Sequence, residues 1–117
     1  MLIRTWRFDE VAVLDLHGRL GLDAHLALRA AVSEVLRAGP HHIVINLTGV
    51  STLDASGLGE LVQVLKQARA RGGDVRLVVR SGFVRELLVR TRLIGVFPSF
   101  DTESQALASL DGAAPLV

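Results

Sequence analysis

The chain contains no cysteine in its 117 residues. Disulfides, thiol chemistry and cysteine-ligated metals are therefore excluded. No stretch approaches the roughly 18 to 20 uninterrupted apolar residues that a membrane-spanning helix needs. The opening Met1-Leu-Ile-Arg-Thr-Trp-Arg-Phe8 lacks an apolar core ending in a cleavage site, so no signal peptide is expected. A cytoplasmic protein fits these absences. Charge of one sign is also lacking: the net charge is +1, which exerts no global pull toward nucleic acid. Only one lysine is present, Lys66. No His, Asp and Glu set shows metal-ligand spacing, and no metal or cofactor is expected.

What is present is a globular composition, 50% apolar and 21% charged. The length suits one domain over residues 1–117, with a core at about 2–110 and a frayed tail at 111–117. Charge is uneven locally. Residues 66–92 carry eight basic side chains against Asp74 and Glu86. That segment reads either as a solvated face or as a surface that steers an acidic partner.

Periodicity orders the elements. Leu2 to Phe8 and Val11 to His17 alternate as strands and form a hairpin across Asp9-Glu10, with Trp6 and Phe8 read as core or edge cover. Gly18 to Gly21 reads as a loop, and Asp23 as the cap of a helix carrying Ala24, Ala27, Leu28, Ala31, Val32, Val35 and Leu36 inward. Gly39-Pro40 stops it. Ile43 to Leu47 is a β-branched apolar run suited to a buried strand, and Thr48 to Thr52 reads as a turn. A second helix runs from about Ala55 to Arg71 with Leu58, Leu61, Val62 and Leu65 buried. Asp74 to Arg80 is the next strand. A third helix starts near Gly82, a short edge strand lies within Ile94 to Phe100, and Thr102 with Gln105 forms a capping box for a last helix through Leu110. Helices alternating with strands after a hairpin predict an α/β fold: a mixed, mainly parallel sheet with about four helices packed on it.

The stretch from Ile43 to Gly59 organises the rest. Asp54 is a good N-cap for the second helix, and Ser56 falls in its first turn between Ala55 and Gly57. A phosphate there would sit where a helix N-terminus favours anions. The bland reading is that Ser56 helps cap the helix. Two catalytic readings fail on the residues. A hydrolase nucleophile elbow needs glycine two places before and after the serine, where Asp54 and Leu58 stand. His17, His25, His41 and His42 show no spacing that implies a triad. A phospho-accepting receiver domain would need an acidic pair after the first strand and a lysine after the last parallel strand; Asp9-Glu10 sits in the hairpin turn and Lys66 inside a helix. Gly57-Leu58-Gly59 is too short to be a nucleotide loop and reads as close packing of the helix start.

Val50-Ser-Thr-Leu-Asp54-Ala-Ser56-Gly57-Leu58-Gly59 resembles the signature of the STAS family, the sulfate-transporter and anti-sigma-factor-antagonist domain, and the order of elements fits from about Val11 to Leu110. The resemblance implies a bacterial anti-sigma-factor antagonist, not an enzyme, which regulates transcription by partner switching. It implies that the chain binds an anti-sigma factor that is also a serine kinase, that the kinase phosphorylates Ser56 and so breaks the complex, and that a serine phosphatase restores it. Asp54 would position the serine, and Asp23, Asp54, Ala55, Ser56, Gly57, Leu58 and Gly59 would form the partner site. No direct contact with nucleic acid is implied. The alternative is an interaction subunit without a phospho-switch, for example in a lipid-transport complex. Two departures stand out. Family antagonists usually carry Gly-x-Leu-Asp before the first helix, whereas this chain reads Gly18-Arg19-Leu20-Gly21, with Asp23 two places late. The first residue of the usual serine pair is Ala55, leaving Ser56 as the sole hydroxyl of that triplet.

Overall fold

A computed structural model describes residues 1–80 and 82–111. Its elements are β1 (Leu2–Phe8), β2 (Val11–Leu20), α1 (His25–Ala38), β3 (His42–Leu53), α2 (Ala55–Ala70), β4 (Val75–Val78), α3 (Phe83–Arg90), a 3-10 turn (Leu93–Gly95), β5 (Ser99–Phe100) and α4 (Glu103–Asp111). The five strands form one sheet in sequential order, β1 antiparallel to β2 and the remaining pairs parallel. This is the mixed, mainly parallel sheet with four helices that the alternation predicts. The expected fray at 112–117 lies outside the described residues, and Asp111 ends α4.

Right-handed crossovers between strands laid down in sequential order put every crossover helix on the same side. Ala12, Leu14, Leu16, Ile43, Ile45 and Leu77 accordingly point into a core shared with Leu28, Val32, Leu61, Val64 and Leu88 of α1, α2 and α3. The opposite face carries Val11, Val13, Val44 and Val78, which pack with Ala106 of α4. Each fully buried Leu or Ile contributes about 1.5–3 kcal/mol. The central strands are thereby fixed, and with them the loops at their C-terminal ends. The Asp9-Glu10 turn closes because Asp9 adopts the left-handed conformation at φ 55°, which aspartate tolerates better than most residues.

Several boundaries differ from the sequence reading. β2 continues through Gly18–Leu20, and β3 continues through Thr48–Thr52 to Leu53. The predicted turn is instead a pair of irregularities in the β2–β3 register, where β3 spends extra residues after Asn46 and after Val50. Asn46 explains the first. Its Oδ1 accepts from the Thr48 amide at 2.9 Å and the Thr48 hydroxyl at 2.7 Å, which bends the strand locally without ending it. Asp23 does not cap α1; Ala24 holds that position with no side-chain bond. β4 is shorter than Asp74 to Arg80, and Leu93–Gly95 winds as a 3-10 turn before β5. Trp6 and Phe8 are exposed rather than buried, because β1 is a sheet edge and their face has no helix above it among the described residues. Leu58 and Val62 are only half-buried, while Val64, Ala68 and Glu60 lie inside. Half of the capping box forms: Thr102 Oγ1 accepts from the Gln105 amide at 3.1 Å, whereas Gln105 Oε1 accepts from the amide of Asp101, one residue before the cap.

Candidate functional site

β2 and β3 end side by side, and the Gly21–Ala24 loop meets the start of α2 there. Asp54 joins the two. It caps α2 from an extended backbone, its Oδ1 accepting from the Gly57 amide at 3.1 Å. Its Oδ2 accepts from the Leu22 amide at 3.2 Å, and its own amide donates to the Leu20 carbonyl at 3.3 Å. One carboxylate thus ties a loop to a helix 32 residues later in sequence. The Gly57 amide above all, then those of Leu22 and Ser56 and the nearby His25, hold the Asp54 carboxyl below the ordinary aspartate range, against a smaller opposing effect of desolvation.

Two glycines make room for this clamp. A Cβ on Gly21 would overlap the Asp54 carboxylate, with Cγ at 2.8 Å. At Gly21, where the family resemblance leads to an expected aspartate, the space is filled from the other side by Asp54. A Cβ on Gly57 would collide with the Leu20 carbonyl oxygen and come within 2.7 Å of Leu53 Cδ1. Gly57 accordingly has the close-packing role expected of it, whereas Gly59 is exposed with open space around it.

The structure brings Asp54, Ala55, Ser56, Gly57, Leu58 and Gly59 into the first turns of α2. Asp23 stands exposed on the rim of a shallow cleft of about 290 Å³ that Leu20–Ala24 share with Thr52, Leu53 and Asp54. Ser56 is half-buried. Among the described residues no hydrogen bond joins its hydroxyl to a histidine.

Glu60 was not found by sequence reasoning. It is 2% exposed, one turn after Ser56 and on the same side of the helix. Arg29 of α1 grips it, Nη2 to Oε1 at 2.9 Å and Nε to the two oxygens at 3.2 and 3.3 Å, and His25 Nδ1 stands 3.4 Å from Oε1. A buried carboxylate needs such partners. The same grip raises the Arg29 pKa further, chiefly through the hydrogen bond to Glu60. A sequence signal existed: Glu60 sits three places after Gly57 and four before Val64, on the buried stripe.

Leu22 and Leu26 were missed as well. They are 72% and 57% exposed; Leu22 lines the cleft, and Leu26 stands in the first turn of α1. Leu26 falls off the apolar stripe of α1, which is the trace it leaves in sequence. His17 lies elsewhere, 2.9 Å from Asp15, and His41 and His42 stand at the far end of β3. Part of the basic segment 66–92 is engaged within the fold. Arg69 and Arg76 pair with Asp74, Arg71 donates to the Leu36 carbonyl, and Arg80 to that of Asp101.

A family model described as the STAS domain matches residues 3–106. The chain belongs to the STAS domain family. An anti-sigma F factor antagonist of Paenibacillus polymyxa is 28% identical to it over 102 residues, 86% of this chain and 87% of that protein. A Thermotoga maritima protein described as a candidate anti-sigma factor antagonist is 31% identical over 100 residues, covering 85% of this chain and 88% of that one. The solved structure of an anti-sigma factor antagonist from Mycobacterium paratuberculosis superposes with a TM-score of 0.84 at 26% identity, over 93% of this chain and 92% of that one. In this STAS domain the Asp54–Ser56–Gly57 turn faces the loop around Gly21.

Proposed function

We propose that this STAS domain is an anti-sigma-factor antagonist that works by partner switching in the bacterial cytoplasm. Unmodified, it binds an anti-sigma factor that is also a serine kinase. The kinase transfers a phosphoryl group from ATP to the Ser56 hydroxyl and the complex dissociates; a serine phosphatase resets it. The chain is substrate and ligand, not enzyme.

The observation that carries this reading is the setting of Ser56. Its turn is held by the Asp54 bonds to the Gly57 and Leu22 amides, and the apolar Leu22 of the facing loop and Leu26 at the α1 start are exposed. A partner that seats these leucines has to dry the α2 start. A phosphoserine brings about −1.5 to −2 charges. Those charges would lie near the ionised Asp54, so docking would have to desolvate two acidic groups at the start of α2. Asp23 extends the contact across the cleft.

Intact-mass and peptide mapping of the protein isolated from its cells, wild type beside Ser56→Ala, tests the switch. A phosphate-sized increase on the Ser56 peptide, absent in the variant, is expected. Ser56→Asp should fold normally and lose binding, and Ser56→Ala should bind and resist modification. An unmodified protein with a constant partner under every growth condition would instead favour the constitutive interaction subunit.

A further inference from the structure

The sheet has an open side that the site does not use. β1 is its outermost strand, and among the described residues only β2 pairs with it. Its seven residues contain no proline and no irregularity in register, so one row of backbone N–H and C=O groups faces outward. Natural edges are usually short, bulged or capped with charge to prevent strand addition. Here Leu2, Arg4, Trp6 and Phe8 share the face that carries Val11 and Val13, and Leu2, Trp6 and Phe8 are 53%, 42% and 52% exposed. Among the described residues α4 packs on that face against β2, β3, β4 and β5, and Leu2, Trp6 and Phe8 of β1 remain exposed.

We propose that β1 pairs antiparallel with β1 of a second copy of this chain, joining two five-stranded sheets into one. The occupant follows from complementarity. A two-fold axis through the seam keeps the faces of both sheets aligned only in registers that differ by two residues. Centred on Thr5, the pairing uses all seven residues. It sets Leu2 opposite Phe8, Ile3 opposite Arg7 and Arg4 opposite Trp6. No like charges meet, and Arg4 lies beside the indole with which a guanidinium stacks well. Centred on Arg4, the register puts the two Arg4 side chains face to face. Centred on Trp6, it avoids that but pairs only residues 4–8. The strand is therefore self-complementary in one full-length register. The seam lies two strands from β3, so each Ser56 stays open to its own partner.

Trp6 is the sole tryptophan and there is no tyrosine, so intrinsic fluorescence reports on this strand alone. The test is sedimentation velocity across a concentration series, with Trp6 emission followed in parallel. A species of twice the 12.6 kDa chain mass should appear, with blue-shifted emission over the same concentrations. Trp6→Arg places arginine opposite Arg4 and should raise the dissociation constant at least about tenfold, equivalent to about 1.4 kcal/mol. Combining it with Arg4→Glu should restore the dimer, a rescue that general damage to β1 cannot give. Thermal melts establish that each variant folds. A monomer at every concentration would overturn the proposal, and shielded Trp6 emission in that monomer would assign the face to intramolecular cover. A dimer that survives Trp6→Arg would overturn it too, by placing the contact elsewhere.

Discussion

Gly57 and Gly59 lie two residues apart in α2, and the same substitution should act on them with opposite sign. Alanine is favoured over glycine inside a helix by about 0.8–1.0 kcal/mol. At Gly59 a Cβ meets nothing within 4 Å, so Gly59→Ala should realise most of that gain. At Gly57 the Cβ collides with the Leu20 carbonyl oxygen, a backbone atom of β2 where it pairs with β3. The helix start has to move instead. Overpacking of this kind costs about 1–3 kcal/mol. The movement also strains the bond from the Asp54 amide to Leu20, worth about 1 kcal/mol. After the propensity gain is set against these, Gly57→Ala should lose about 1–3 kcal/mol. For a domain of this size 1 kcal/mol moves the melting temperature by about 4 °C. Circular-dichroism melts should then place Gly59→Ala about 3–4 °C above wild type and Gly57→Ala about 4–12 °C below. Equal shifts, or a Gly57→Ala protein that melts above wild type, would refute the packing of α2 on the end of β2.

Gly21→Asp, the residue that the family resemblance implies there, should destabilise this chain, because the new side chain enters the space of the Asp54 carboxylate; pairing it with Asp54→Ala should recover part of the loss in urea unfolding. Glu60→Gln should lower stability by about 1–3 kcal/mol, since an amide cannot accept the full Arg29 fork and leaves a buried donor unpaired; an unchanged midpoint would show the carboxylate to be replaceable. For Asp54 the folded pKa lies below the ordinary 3.8, so its stabilisation is complete above that value and disappears as pH falls through the lower folded one. Asp54→Asn should therefore flatten the acid limb of a plot of melting temperature against pH, and an unaltered limb would contradict the clamp.

Local chemistry was legible in the sequence. Asp54 and Thr102 cap the helices they precede, because a cap depends on a carboxylate or hydroxyl two or three residues from free amides. Leu28, Val32 and Leu61 are inside, because helical spacing alone selects them. What escaped depends on neighbours distant in sequence. Glu60 is buried only because Arg29 and His25 arrive from α1. Trp6 and Phe8 alternate as a half-buried strand should, yet whether their face is covered depends on where α4 lands. Thr48 to Thr52 has the composition of a turn, and only pairing with β2 on one side keeps it extended, with Asn46 absorbing the irregularity.

The sequential strand order bears on what such a site is suited to do. Doubly wound sheets bind nucleotides where the strand order reverses and adjacent helices part to opposite faces, opening a crevice. With order β1-β2-β3-β4-β5 and α1, α2 and α3 on one face, no such parting occurs. The C-terminal edge of the sheet instead carries a shallow cleft at Leu20–Ala24, with Leu22 and Leu26 exposed. A surface recognises another surface. Its affinity rests on a few dried apolar contacts, and a single charge placed among them changes the desolvation cost of the whole patch. Ser56, half-buried beside a clamp that keeps the backbone fixed, is where such a charge would act with the least disturbance to the fold.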